Sequence, residues 1–337
     1  MEQDKLSACY FPTTVMFIDD NQNFLTTLSL KLDVNNVIPK LFFDPESALQ
    51  YLETDYQPNP FTNRSLLQVK DEYITHRNID INLQAISQEI YNPLRYSEIS
   101  VIVVDYAMPS SNGLDFAREI KAKGEHFKVL MLTGEADETI AVEAFNEGVI
   151  DQFIRKGALN FHEITNSAIR GLQHRYFQDL SDLIMSSFSA NNLSISCFDD
   201  PVFIQFFNRL CQENEITEYY LTDTYGGFLL LNFEGVPSWL AVRDEEGMED
   251  SFQIANFSNH SFPKLLLEEL KNREKMLVLF QENMCDDSEK VEKYIFPCHK
   301  LEGKTTYYYN LIKDVREYAI FPEKIFSCRT YLDETPL

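Results

Sequence analysis

The sequence predicts an α/β fold, a doubly wound five-stranded parallel sheet with a helical insertion, followed by an α+β domain with antiparallel strands. Three observations carry this prediction. Between residues 13 and 160, short apolar runs alternate with helix-like segments five times, the grammar of a parallel sheet covered by helices on both faces. The run Val101-Ile102-Val103-Val104 is β-branched throughout, as in a strand buried on both sides, and it stops at Asp105 before a Pro/Ser/Asn/Gly loop. Beyond residue 190 the apolar runs are joined instead by glycine-containing turns such as Tyr225-Gly226-Gly227, a hairpin signal.

Each element follows from local chemistry. Thr14 to Ile18 is an apolar strand ending on Asp19-Asp20, and Asn21 starts a helix with Phe24, Leu25, Leu28 and Leu32 at helical spacing. Val37 to Phe42 is the second strand, and Asp44-Pro45-Glu46 opens a helix with a cap followed by a first-turn proline. Residues 55–98 then intervene, beginning with the turn region Gln57 to Asn63 and continuing in a polar stretch where Leu66, Leu67, Ile74, Ile81, Ile86 and Ile90 recur loosely. A structureless segment of that length is improbable in a compact domain, so an inserted helix or helix pair is expected.

After the strand ending on Asp105, Asn112 is placed to cap a helix running from Leu114 to Lys121. Val129 to Leu132 is a strand ending on Thr133-Gly134, a helix passes through Ile140, Ala144 and Phe145, and the strand Val149 to Ile154 ends on Arg155-Lys156-Gly157. From Phe161, apolar positions at Ile164, Ala168, Leu172, Tyr176, Leu180 and Leu183 keep a three-to-four spacing further than one sheet can cover. An extended linker helix over residues 161–190 is expected, able to pair two copies as a homodimer through residues 161–188; an ordinary helix followed by a short one is the alternative. In the second domain, residues 191–337, Glu218 to Thr222, Phe228 to Asn232 and Ser238 to Val242 form a three-stranded meander. A helix from Pro263 to about Lys275 and strands at Met276 to Phe280, Tyr294 to Cys298 and Thr305 to Ile312 complete it.

Composition excludes some functions. The chain has 337 residues, 29 Lys+Arg against 53 Asp+Glu and a formal charge of -24, a field that opposes phosphate backbones and anionic membranes. Six cysteines without a CxxC pair read as reduced thiols, no apolar run reaches membrane-spanning length, and the N-terminus lacks a cationic-then-apolar leader, so a cytoplasmic protein is expected.

The chemistry gathers at strand ends. In a doubly wound sheet, Asp19-Asp20, Asp105, Thr133 and Lys156 face one crevice, because parallel strands present the same end to the same edge. Three carboxylates there repel one another unless a cation sits among them, and a hard divalent ion, Mg2+ or Mn2+, suits oxygen ligands. The plain alternative for Asp105 is a helix cap, a role for which Asn112 is better placed.

On these residues, 13 to about 175 resemble the receiver domain of two-component response regulators, with the domain spanning residues 13–160. The resemblance implies the acidic pair at Asp19 and Asp20, a phospho-accepting aspartate at Asp105, a Met-Pro at Met108-Pro109, a loop glycine at Gly113, a switch hydroxyl at Thr133, a switch aromatic at Phe153 and the lysine at Lys156. It implies a metal held by Asp19, Asp20, Asp105 and the backbone carbonyl of Ala107, a sensor histidine kinase as partner, and a protein that takes up and hydrolyses its own aspartyl phosphate without being a turnover enzyme. Two features depart from the family. Gly157 stands where proline usually follows the lysine, which leaves Lys156 less firmly positioned, and the insertion at residues 55–98 is not a standard receiver feature.

The output half says less. Residues 191–337 hold 14 Lys+Arg and 26 Asp+Glu, the reverse of what DNA binding by simple electrostatics wants, and they carry no helix-turn-helix, cyclase-type or P-loop motif. Lys264, Lys271, Arg273 and Lys275 are interleaved with acids and read as a solvated helix face. Asp287 with Glu302-Gly303-Lys304 resembles the spacing of metal-dependent nucleases, the basis for an alternative as a transcription regulator or nucleic-acid enzyme under receiver control. Cys298-His299 offers two metal ligands without a second pair, and Trp239 and Tyr307-Tyr308-Tyr309 read as strand residues. A receiver joined to an α+β output without an effector motif is similar to response regulators of quorum-sensing systems, whose output is expected to act by dimerisation or protein contact.

Overall fold

The computed structural model describes residues 5–56, 66–68, 79–81, 83–109, 112–123, 126–134, 138–190, 195–257, 263–279, 291–316 and 320–335. In chain order, β1 (Cys9–Tyr10) and β2 (Thr13–Ile18) lead to α1 (Gln22–Ser29), β3 (Val37–Phe42) and α2 (Pro45–Gln50). β4 (Leu66–Gln68), β5 (Ile79–Ile81) and α3 (Leu83–Gln88) precede β6 (Ile99–Asp105), α4 (Gly113–Ala122), β7 (Lys128–Thr133), α5 (Glu138–Asn146), β8 (Gln152–Arg155) and α6 (Phe161–Ala190). Then come α7 (Pro201–Glu213), β9 (Ile216–Leu221), β10 (Phe228–Asn232), β11 (Pro237–Arg243), α8 (Glu245–Phe257), α9 (Lys264–Lys271), β12 (Lys275–Leu277), β13 (Ile295–Pro297), β14 (His299–Glu302), β15 (Thr306–Ile312) and α10 (Cys328–Glu334).

The first sheet is parallel throughout, in the order β3-β2-β6-β7-β8. Alternation along its central strands separates two cores. Met16, Ile18, Ile102 and Val104 face Ala117 and Ile120 of α4 and Ala141 and Ala144 of α5, while Val15, Phe17, Val101 and Val103 face Leu25 and Leu28 of α1 and Ile169 and Leu172 of α6. The expected doubly wound sheet is therefore present, with the carboxyl ends of its strands at one edge.

The insertion carries the expected helix, α3, and adds to it. Its described part begins with a two-stranded antiparallel ribbon, Leu66 opposite Ile81, and α3 is followed by two 3-10 turns at residues 89–91 and 93–97. Ile79-Asp80-Ile81 alternates with period two, which suits a strand, and Pro93 after the capping Asn92 breaks the helical run. The turn region Gln57 to Asn63 and Ile74 lie outside the described residues.

The second sheet is antiparallel, in the order β1-β9-β10-β11-β15-β14. Its first strand comes from the extreme N-terminal part of the chain, where Cys9 pairs with Tyr220 and Tyr10 with Tyr219. Leu6, Ala8, Cys9, Tyr10 and Phe11 lie in the core of this second unit, separated from β2 by Pro12 alone. The two halves are thus not consecutive in sequence: residues before 13 complete the output sheet. The meander β9-β10-β11 turns through Gly226 and Gly235, both at positive φ.

α6 is one continuous helix of 30 residues, about 45 Å long. Phe161, Ala168, Ile169 and Leu172 pack on the parallel sheet, whereas Tyr176, Phe177, Leu180, Ile184 and Phe188 enter the core of the second unit. The apolar stripe of residues 161–190, read as a linker with a seam for a second copy, is thus largely packed within the chain. The stripe outlasts the first sheet because the second sheet covers its remainder, leaving Ile164 and Leu183 as its exposed apolar members.

A buried ion pair also joins the halves. Arg95, in the turn just before β6, contacts Glu218 of β9 at 3.1 Å, and both side chains are wholly inaccessible. Tyr96 and Tyr220 donate their hydroxyls to the same carboxylate at 2.5 and 2.6 Å, and the Arg95 guanidinium also reaches the Phe326 carbonyl at 2.7 Å.

Candidate functional site

Asp19 and Asp20 follow β2, Asp105 ends β6, Thr133 ends β7 and Lys156 follows β8, so sheet topology alone brings all five to one edge. Asp19, Asp105 and Thr133 are buried and Asp20 is exposed. Asp19, Asp20 and Asp105 each offer an oxygen within 4.8 Å of the others. The Lys156 ammonium bridges two of them, at 2.7 Å from Asp19 and 2.8 Å from Asp105. One cation among three carboxylates leaves an excess of negative charge in a half-desolvated place, and an all-oxygen donor set of this kind fits a hard divalent ion.

The backbone holds the cluster still. Asn21 donates its N–H to Asp19 at 2.9 Å, and the Lys156 N–H donates to the Thr133 carbonyl at 2.9 Å. Tyr106 N–H reaches the Leu132 carbonyl and Gly113 N–H the Tyr106 carbonyl, each at 2.9 Å, folding the loop after β6 back over the strand end. Only glycine fits at 113, since a Cβ there would stand 2.1 Å from the Asp105 carbonyl oxygen. Met108 is buried and anchors the same loop among the α4 and α5 side chains. Ala107 is exposed, and its N–H donates to the Asp105 carboxylate. Asn112 caps α4 by accepting the Asp115 N–H at 2.8 Å, so the cap role belongs to Asn112, and Asp105 instead contacts Lys156.

Electrostatics sharpen the picture. Burial holds the Asp105 carboxyl above its ordinary value against the opposing pull of Lys156, with Asp19 adding to the rise. Burial works against the Lys156 charge, but its hydrogen bonds to Asp105 and Asp19 outweigh burial and hold the ammonium above its ordinary value. The buried Thr133 hydroxyl has no hydrogen-bond partner among the described residues. Phe153, three residues before Lys156, is half-buried and packs at the edge of the core beneath α5.

One contributor was not legible as such. Phe24, read as a member of the α1 apolar stripe, lies only half-buried with its ring centroid 4.8 Å from the Lys156 ammonium. Its place four residues after Asp20 was the available signal.

The output residues singled out from sequence have structural partners. Glu302 pairs with Lys300 and accepts from Thr306, and Lys304 donates its ammonium to the Asp199 carbonyl and its N–H to Asp200, so the Glu-x-Lys spacing serves a hairpin turn. Asp287 lies outside the described residues. Cys298 donates to the Arg273 carbonyl, and His299 packs against Tyr309. Arg273 pairs with Glu245 and Lys275 with Glu269, while Trp239 and Tyr307 are core residues.

Comparison with known proteins agrees with this geometry. The family model for the response regulator receiver domain matches residues 62–167, a span that contains Asp105, Thr133 and Lys156. The response regulator LqsR of Legionella pneumophila is similar over 98% of this chain and 96% of its own, with 32% identity and a TM-score of 0.80. The response regulator protein TodT of Pseudomonas putida is 28% identical over 81 residues, 23% of this chain and 36% of TodT. The regulatory protein LuxO of Vibrio cholerae is 27% identical over 99 residues, 29% of this chain and 22% of LuxO. This chain thus spans about a third or less of the length of these two curated relatives.

Proposed function

The chain belongs to the response regulators, and on that premise we propose that it is phosphorylated on Asp105 by a sensor histidine kinase and conveys that state through residues 191–337 by contact with a protein partner. The observation that carries this reading is the Asp105 carboxylate held 2.8 Å from Lys156 inside the cluster with Asp19 and Asp20. An Asp105 oxygen attacks the phosphorus of a phosphohistidine; the new P–O bond forms as the P–N bond breaks, and the leaving imidazole takes a proton from solvent.

The residues that would hold a divalent cation, Mg2+ or Mn2+, are Asp19, Asp20, Asp105 and the backbone of Ala107. When bound, it supplies charge neutralisation for the incoming phosphoryl oxygens. Lys156 transfers its contact from the Asp105 carboxylate to a phosphoryl oxygen, and the Thr133 hydroxyl donates to another. As Thr133 moves toward the phosphoryl group, Phe153 turns into the space it leaves, which changes the surface near α5. Water later hydrolyses the acyl phosphate, so the chain resets itself without turning over a separate substrate.

Contact with a partner is favoured over pairing through residues 161–188 because the stripe of α6 is covered within the chain. The net negative output and the structural engagement of Glu302 and Lys304 weigh against a nucleic-acid output. A quorum-sensing role is supported by the whole-length likeness to LqsR together with the unfamiliar α+β output. A cytoplasmic location is supported by six cysteines without a CxxC pair, the pattern of reduced thiols. No helix among the described residues is long and apolar enough to cross a membrane.

The test is intact-mass spectrometry after incubation with a small phosphodonor and Mg2+. One phosphoryl group is expected on the wild type and none on Asp105→Asn; undiminished uptake by Asp105→Asn would overturn the assignment.

A further inference from the structure

Lys156 is constrained from several directions, yet none of the constraint comes from the residue after it. Gly157 is exposed, and a Cβ placed there would meet only the Arg155 Nε at 3.9 Å. The Lys156 N–H is tied to Thr133, its ammonium to two carboxylates, and the remaining side is closed by an aromatic face at 4.8 Å, that of Phe24. Phe24 is itself fixed at both ends. Its N–H donates to the capping side chain of Asn21 at 3.0 Å, and its ring lies 5.8 Å from the ring of Phe161, the buried first residue of α6.

Phe24 packs against the rim of the α1 and α6 core without being enclosed by it. Leu25 and Leu28 are the buried residues of α1, while Phe24 stays half-exposed at the rim of a polar site. Of the two carboxylate contacts of Lys156, the one to Asp105 is the one that phosphorylation changes, because the new P–O bond ends the carboxylate charge of Asp105 and places negative charge on the phosphoryl oxygens, while the contact to Asp19 remains. A ring face attracts the ammonium before and after that change and offers no competing lone pair.

We propose that Phe24 is a positioning residue for Lys156, its ring holding the ammonium in place while the lysine passes from the Asp105 carboxylate to the phosphoryl oxygen. This rests on the reading of Asp105 as the phosphoryl acceptor. The firm placement that the family usually gains from the residue after the lysine is supplied here from α1, across the crevice.

The experiment compares Phe24→Leu, which keeps apolar bulk without a π face, with Phe24→Tyr, which keeps the face. Phosphoryl uptake from a small donor is timed in the full chain with Mg2+, with thermal melts confirming that each variant is folded. Phe24→Leu is expected to slow uptake about tenfold, the scale of one partly desolvated cation–π contact, and Phe24→Tyr to stay near the wild-type rate. In a Lys156→Met background, Phe24→Leu is expected to add nothing. Equal rates for Leu and Tyr, or a Leu defect that persists without Lys156, would overturn the proposal. An unlabelled wild type would instead remove the acceptor reading and this inference with it. Should Phe24→Leu fail to fold, an NMR readout on the wild type and Phe24→Tyr decides: the ring current shifts the Lys156 ε-methylene protons upfield in both, and unshifted protons refute the contact.

Discussion

Two ionic clusters in this molecule use the same ingredients to opposite ends. At the crevice, Lys156 faces Asp19 and Asp105 with exposed Asp20 beside them, so one positive charge meets three negative ones and the site opens to solvent. Between the halves, Arg95 and Glu218 balance one another in complete burial, Tyr96 and Tyr220 donate to the carboxylate, and the Ile90, Asn92 and Phe326 carbonyls accept from the guanidinium. The first arrangement is left unbalanced and accessible, as the proposed uptake of a cation and a phosphoryl group requires. The second is closed, and burying it costs several kcal/mol of desolvation that its hydrogen bonds offset. An unbalanced, open cluster is suited to take up a charged group; a balanced, closed one locks segments together.

Breaking the closed cluster should have the larger effect on stability. Glu218→Gln strands the Arg95 charge and is expected to cost about 3–5 kcal/mol in urea denaturation, whereas the joint change Arg95→Met with Glu218→Leu should recover most of that loss. The refolded fraction of Glu218→Gln should still accept a phosphoryl group on Asp105, because the two clusters occupy opposite ends of β6. Loss of phosphoryl uptake in the folded variant would show that the clusters are not separable.

The open cluster should reveal itself through pH and metal. Asp105 is held above its ordinary value, so its protonation favours the folded state: that contribution is complete below the unfolded value and is lost as pH rises through the folded one. Bound Mg2+ reverses the trend by requiring the ionised form. Melting temperatures with and without Mg2+ are expected to converge near about pH 4, the ordinary aspartate range, and to separate progressively toward about pH 8. A Mg2+ increment independent of pH would break the comparison.

The smallest effect is expected at the cap of the helix that follows Asp105. Asn112→Ala removes the side-chain bond to the Asp115 N–H and should cost about 1 kcal/mol of stability, with phosphoryl uptake retained. A stability loss without loss of uptake would separate the capping residue from the proposed acceptor.

Much of the first half was legible because its signals are local. Asp44-Pro45, Asn21 and Asn112 announce helix starts, and all three side chains do cap. The same Asp-Pro signal stands at Asp200-Pro201 and opens α7, a helix that went unread beside the more conspicuous glycine turns, as did α8, α10 and β14. β1 was beyond local reading, since a two-residue strand has no periodicity and its partner lies about two hundred residues away. The tail of α6 showed its apolar stripe plainly but not what would cover it.

What the sequence determined by itself is the crevice: carboxylates, a hydroxyl and a lysine terminate separate apolar strands, and parallel pairing obliges those ends to share an edge. What only the tertiary structure decided is everything built from residues distant in sequence without a shared pattern. The seating of residues 6–11 in the output core, the closure of Arg95 on Glu218 and the ring of Phe24 over Lys156 are of this kind. Their physical reason is the same in each case: burial and charge pairing are settled by which surfaces meet in space, and no spacing along the chain encodes that meeting.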